Sequence, residues 1–340
     1  IQQYVHVWQR DWLGELGDKL KGNWKERYNA LVIELGPAEP EDDFPIFTWG
    51  HPATETLIEE LRSMSIDQLL AYLQEWQPSG NFMSPSREEL GRLLTGMISE
   101  DPERFAEYAD RFQGYDPIYA SAVVQGFTGA IRNHRPFDWE NILNLCEWII
   151  NQRYTLSEDG TATICDSAWA WTCQMLANLL LSATEAQPPV LPISLSAKIW
   201  NILQPLTDDP DPTQENEFDE EDQDPAMEYA TRAINSIRGI ALHAVINYAW
   251  WQKLLAKEEE GKENAQNFNA IPEIQVVLER HLDPNIDASP AIRSVYGQRL
   301  TNLVALDPQW TAEHLIYLFP SEAHLQILRT VTWNTYIIFC

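Results

Sequence analysis

Apolar residues recur at intervals of three and four along most of the chain, the spacing of one buried face of an α-helix. Leu57, Leu61 and Met64 make one stripe, and Leu69, Leu70 and Leu73 follow it. Phe105, Ala109 and Phe112, then Val123, Phe127 and Ala130, then Ile142, Leu145, Cys146 and Ile149 continue the series. Trp169, Cys173, Leu176 and Leu180 come next, then Ile199, Ile202 and Leu203. Ile234, Ile237, Ala241, Val245 and Tyr248 predict the longest helix. The last third adds Ile274, Val277 and Leu278, then Val295, Leu300 and Leu303, then Leu315 and Leu318. Strand-like stretches are limited to Ile46–Trp49 and Ala162–Ile164, too short and isolated to build a sheet. The pattern predicts an all-α fold, an α-solenoid of stacked helical hairpins of HEAT or TPR kind with irregular repeats.

The punctuation between these stripes is helical too. Asp-Pro occurs at Asp101, Asp116, Asp209, Asp211, Asp224, Asp283 and Asp307. Asp accepts hydrogen bonds from the free amides of a first turn, and Pro at the first helical position gives up no hydrogen bond. All of these except Asp209 and Asp211 precede a periodic apolar segment. Ser65 with Gln68 and Ser86 with Glu89 have capping-box spacing. An internal echo relates Ala233–Leu242 to Ala291–Leu300 through the frame A-I-x-S-[IV]-x-G-x-x-L. Its small Ser and Gly positions predict close approach of neighbouring helix backbones, and the echo supports repetition in the last third.

These signals divide the chain into an N-terminal helical segment, 1–80, and a first helical block, 81–206, ahead of a second, 225–340. Residues 36–53, with four prolines, read as a crossing loop inside the first segment. Between the blocks, residues 207–224 hold ten acids and no base and read as a flexible, solvated loop. Ile1 is no initiator Met, and the chain stops in the apolar run Tyr336–Cys340, so a fragment of a longer polypeptide is expected.

Charge narrows the partners. With 23 Lys+Arg against 51 Asp+Glu the formal charge is −28, which repels phosphate backbones and anionic headgroups. Nucleic acid and membrane are therefore not expected as partners; a protein, or other domains of the same polypeptide, is. The four cysteines, Cys146, Cys165, Cys173 and Cys340, form no CxxC pair. Cys146 and Cys173 lie in apolar surroundings suited to buried thiols in a reducing compartment, and the cytoplasm is the expected location.

Signatures for chemistry are missing. No H-E-x-x-H or paired histidine supports a metal, no Gly-rich phosphate loop supports a nucleotide, and no G-x-S-x-G elbow is present. The acidic loop lacks the glycine and spacing of a calcium loop. No cofactor, metal or catalytic residue is assigned, and this stretch of chain is not expected to be an enzyme. Asp138 beside Trp139, and Asp166 before Trp169 and Trp171, would suit a helical-toroid hydrolase using paired carboxylates, which is one alternative. The simpler reading makes both aspartates helix caps. The candidate partner-binding residues are Arg232, Arg238 and His243, with Arg293 and Arg299 in the echoed segment. Lining a concave face, these arginines would grip a partner's carboxylates; the competing reading is ion pairing inside the fold.

One resemblance bears on context. Asp101-Pro102-Glu103-Arg104-Phe105, Arg135-Pro136-Phe137-Asp138-Trp139 through Leu145-Cys146-Glu147-Trp148, Pro205–Pro210, Ala233–Gly239 and Ala291–Gly297 carry it. Over residues 86–340 the chain resembles the helical-repeat portion of very large bacterial multidomain proteins of NTPase-like, defence-associated kind. The resemblance implies an effector or NTPase module elsewhere in the polypeptide, with this part sensing or docking a protein in antiviral defence. The matching motifs are structural and carry no catalytic residue. A purely architectural spacer between modules is the remaining alternative.

Overall fold

The computed structural model describes residues 6, 10, 13–14, 19–36, 52–77, 85–156, 162–187, 190–213, 225–260 and 267–339. The chain divides into two compact units, Ile1–Leu57 and Ile58–Cys340. In the first, α1 (Asn23–Leu35) buries Leu31 against Leu13 and Leu20, with Tyr28 and Leu35 packed on them. The Pro-rich stretch expected to be a crossing loop lies mostly outside the described residues.

The second unit is built from helices, as the periodicity predicts. After α2 (Pro52–Ser63) come α3 (Ile66–Glu75), α4 (Arg87–Glu100), α5 (Pro102–Ala106), α6 (Pro117–Arg132) and α7 (Glu140–Arg153). Next are α8 (Ala170–Glu185), α9 (Ser196–Thr207), α10 (Pro225–Ile234), α11 (Ile237–Glu260), α12 (Pro272–Leu282) and α13 (Pro290–Gln298). The series ends with α14 (Leu300–Leu306), α15 (Pro308–Glu313), α16 (Leu315–Leu318) and α17 (Gln326–Phe339). Helices α4, α6, α8, α11, α13 and α17 each pack on the next in that order. Helix α9 packs against both α7 and α11. Apolar faces such as Val123, Phe127 and Ala130 of α6, or Leu176 and Leu180 of α8, are wholly or almost wholly buried between them.

Most of the sequence signals act as capping chemistry predicts, although Asp101 makes no side-chain cap on α5. Ser65 and Gln68 form a complete capping box on α3, and Ser86 accepts from the Glu89 amide at α4. Asp116 and Asp307 accept from the first-turn amides of Ile118 and Trp310. Asp283-Pro284 differs: Asp283 ends α12 and a turn follows, so α13 starts later, at Pro290, capped by Ser289.

Three further expectations are corrected. Ala162–Ile164 (β2) is not isolated: it pairs antiparallel with Tyr154–Leu156 (β1), a small hairpin in an otherwise helical body. The pairing holds Tyr154 at the end of α7 with its side chain inward. The longest helix does not begin at Ile234. The chain breaks between α10 and α11, and Ile234 is 52% exposed. The break is fixed from outside, because the Asp211 carboxylate accepts from the Ile237 amide at 3.0 Å and caps α11 across a long sequence gap. The first residues of the acidic stretch are also not solvated: Asp209 is 0% exposed and Asp211 is committed to that cap. A carboxylate can be buried where fixed donors replace its water, and here Arg153, Tyr154 and the Asp211 amide do so. Residues 214–224 lie outside the described residues. Among the described residues no helix is long and apolar enough to cross a membrane.

Candidate functional site

The links between helices build an open polar cleft in the second unit. The α9–α10 link supplies Asp208, Pro210, Pro212 and Thr213, and the first turn of α11 supplies Arg238. The end of α12 supplies Arg280 and His281, and the α12–α13 link supplies Asp287 and Ser289. Together they line an open cleft of about 630 Å³.

Each group at its edge is held by a partner. Arg238 donates through Nη1 to the Asp209 carbonyl at 2.8 Å and through Nη2 to the Pro212 carbonyl at 3.0 Å. Its Nε lies 3.3 Å from Asp287 Oδ2, an ion-pair contact without the alignment of a hydrogen bond. This arginine therefore clamps the α9–α10 link onto α11 while facing the α12–α13 link. Arg280 pairs with Asp208, Nη2 to Oδ1 at 3.2 Å.

His281 and Asp287 form a buried dyad at the floor. His281 Nδ1 stands 2.7 Å from Asp287 Oδ2, and Asp287 Oδ1 accepts from the Ser289 amide at 3.2 Å. Burial alone would raise the Asp287 carboxyl; the hydrogen bond from His281 and the charges of Arg238 and His281 outweigh it and hold the group below its ordinary range. An ionised Asp287 fixes the proton on Nδ1, so His281 Nε2 is free to accept when the ring is neutral and to donate when it is charged. Nε2 is buried and has no hydrogen-bond partner among the described residues. The dyad can orient a polar ligand or exchange one proton with it.

Under the cleft lies a second buried network. Asp209 Oδ2 accepts from Arg153 Nε at 2.8 Å and from the Tyr154 hydroxyl, and it is ion-paired with Arg153 Nη2 at 2.7 Å. Burial would lower the Arg153 guanidinium, and the Asp209 charge together with Tyr154 and the hydrogen bonds to both more than reverses it. Burial pushes the nearby Cys173 thiol up to about 12, so it stays protonated.

The five arginines and histidines marked by the sequence do not share one open face. Arg232 pairs with Glu228 one turn away on α10. Arg293 is 1% exposed and donates to the Tyr317 and Leu282 carbonyls, both at 2.9 Å. His243 is buried and accepts at Nδ1 from Arg299 Nε at 3.0 Å, while Arg299 Nη2 reaches Glu185 at 2.7 Å. Internal pairing describes their geometry, and Arg238 alone reaches the cleft. Asp138 and Asp166 accept from the Glu140 and Ala168 amides, as helix caps do. Among the described residues no three His, Cys, Asp or Glu groups stand close enough to hold a metal ion.

Sequence reasoning missed Asp208, Arg280 and Asp287. The one local signal is Asp287-Ala288-Ser289-Pro290, an Asx turn running into a capped helix start, six residues after His281. Nothing in the sequence ties it to Arg238. Compared with known proteins, the chain matches no family model, no curated protein and no solved structure.

Proposed function

We propose that this chain is a recognition scaffold, a solenoid-like stack of helical pairs whose polar cleft receives a segment of a protein partner or of another domain of the same polypeptide. The observation that carries the reading is the make-up of the cleft. Inter-helix links and helix ends line it, and these are the parts of a helical stack that vary without disturbing the buried core. The succession of α4, α6, α8, α11, α13 and α17, with α7 and α9 in a second row, supports stacking of helical pairs. The sequence resemblance to large bacterial defence-associated proteins adds a sensor role as context.

The cleft favours recognition over hydrolysis. Acid–base work by two carboxylates needs one of them raised, so that it stays protonated. Here Asp208 and Asp287 each face an arginine, and Asp287 is lowered.

Site-specific cross-linking tests the reading. A photo-reactive residue at Ile286, exposed at the cleft, should capture one protein in the producing cell. The same residue at Val276, 63% exposed on α12 and outside the cleft lining, should not. Ala288→Trp, which fills the cleft, should abolish the product at 286. Equal capture at both positions, or capture unaffected by Ala288→Trp, would favour a spacer and overturn the proposal.

A further inference from the structure

The charges of the cleft are unequally presented. Asp287 and Asp208 are 6% and 12% exposed at their side chains, and Arg238 is 15% exposed, whereas Arg280 is 41% exposed. The carboxylates face inward, onto His281, Arg238 and Arg280, so the charge that a visiting group meets first is the Arg280 guanidinium. Two of its five N–H groups account for the contacts to Asp208, which leaves donors for a further acceptor. His281 lines the same cleft, and its Nε2 is the second group unmatched among the described residues, on a ring already fixed by Asp287.

We infer that the cleft binds a carboxylate of a protein partner, one oxygen on Arg280 and the other on His281 Nε2, with the imidazole in its charged form. The inference rests on the recognition reading above and names its ligand chemistry. A cationic side chain is disfavoured because Asp287 already accepts from the His281 ring and the Ser289 amide and faces Arg238, while Asp208 is paired. A dianionic phosphate is disfavoured as well. Asp208 and Asp287 remain close by, and one exposed guanidinium with one imidazolium matches a single negative charge better than two. The formal charge of −28 opposes any anion at long range, but charges beyond a Debye length of ~8 Å are largely screened at physiological salt. Contact groups decide the outcome at that range. The Nδ1 hydrogen bond to Asp287 is kept, and the ring donates to the ligand through Nε2.

Ligand titration of the whole chain, labelled with nitrogen-15 in its histidines, tests this with small probes. N-acetyl-glutamate amide should shift the His281 ring signals saturably, and its glutamine counterpart should bind about tenfold more weakly, the loss of one charge-assisted hydrogen bond. Arg280→Glu should abolish the shift, and Arg280→Lys should restore part of it, because the charge returns without the fork. In His281→Gln the same probe, followed through labelled arginine Nε groups, should bind weakly. Equal binding of the glutamine probe, tighter binding of inorganic phosphate, or an unchanged response in Arg280→Glu would overturn the inference. If the Ile286 cross-link persists in Arg280→Glu, the scaffold stands and the carboxylate assignment falls. If the link is absent while the glutamate probe still binds, the reverse holds.

Discussion

Arg153 at the end of α7 and Asp209 after α9 meet in the interior through one oxygen, with both Nε and Nη2 of the arginine within 2.8 Å of Asp209 Oδ2. The pair is 5% and 0% exposed at its side chains. Asp209 also anchors the link that caps α11, since its Oδ1 accepts from the Asp211 amide and its carbonyl from Arg238. One buried charge pair thus fixes the path of the chain into the cleft.

Removing one member should therefore cost far more than removing both. Asp209→Ala leaves a buried guanidinium without its counter-charge, and a loss of ~3–5 kcal/mol is expected. The double substitution Arg153→Met with Asp209→Leu should recover much of it, because no orphan charge remains. Urea unfolding followed by tryptophan fluorescence checks both. A double variant as unstable as Asp209→Ala would show that the shape of the link, and not the charge, sets the cost.

The helices were legible from spacing because most of the apolar stripes map onto buried faces; Ile234 and Leu315, 52% and 46% exposed, are exceptions. Capping was legible for the same reason: Ser65, Asp116 and Asp307 act within four residues of themselves, where sequence distance and spatial distance agree. The cleft was not legible. Arg238 meets Asp287 across α11 to the α12–α13 link, and Asp211 caps a helix far from it in sequence. Composition misled at Asp209, where an acid-rich run suggested solvent and its long-range donors were invisible. The echoed segments show both outcomes. Their glycines do sit at close approaches, but Ser236 precedes the first residue of α11, whereas Ser294 lies in mid-helix.

Gly297 is the sharper of those approaches. A Cβ there would stand 2.0 Å from Thr335 Oγ1 and 2.4 Å from the Thr332 carbonyl, so α17 would have to move off α13. Gly297→Ala should destabilise by ~1–3 kcal/mol, the usual range for overpacking. Gly96 on α4 is a matched control, with nothing within 4 Å of its would-be Cβ. Gly96→Ala should stabilise by ~0.5–1 kcal/mol through helix propensity alone. Thermal melts of the two variants should shift in opposite directions; a shared direction would refute the packing argument.

Thiol reactivity should separate Cys165 from the two buried cysteines. Burial pushes Cys146 and Cys173 up to about 12, and neither reaches solvent, whereas Cys165 is exposed. The thiolate is the reactive species, so a maleimide should label Cys165 in the folded protein, and Cys146 and Cys173 only on unfolding. Peptide mapping by mass after a short exposure checks this. Early label on Cys173 would mean that the Arg153–Asp209 region opens in the native state.

Acid sensitivity should trace in part to His243. Burial first, and then the Arg299 guanidinium, push its imidazole from 6.5 down to about 3. The folded protein therefore keeps His243 neutral where the unfolded chain would protonate it. Between those two values unfolding takes up a proton, so falling pH favours the unfolded state. The contribution of His243 to stability is complete above pH 6.5 and declines as pH drops through 6.5 toward about 3. Asp287, also lowered in the fold, adds a loss of the same sign at more acid pH. His243→Gln keeps an acceptor for Arg299 Nε and cannot titrate. Its unfolding free energy, from urea titrations at pH 4.5, 5.5 and 7, should vary less with pH than that of the parent chain. Parallel curves for the two proteins would mean that His243 is not the group responsible, and that the acid response lies with the carboxylates.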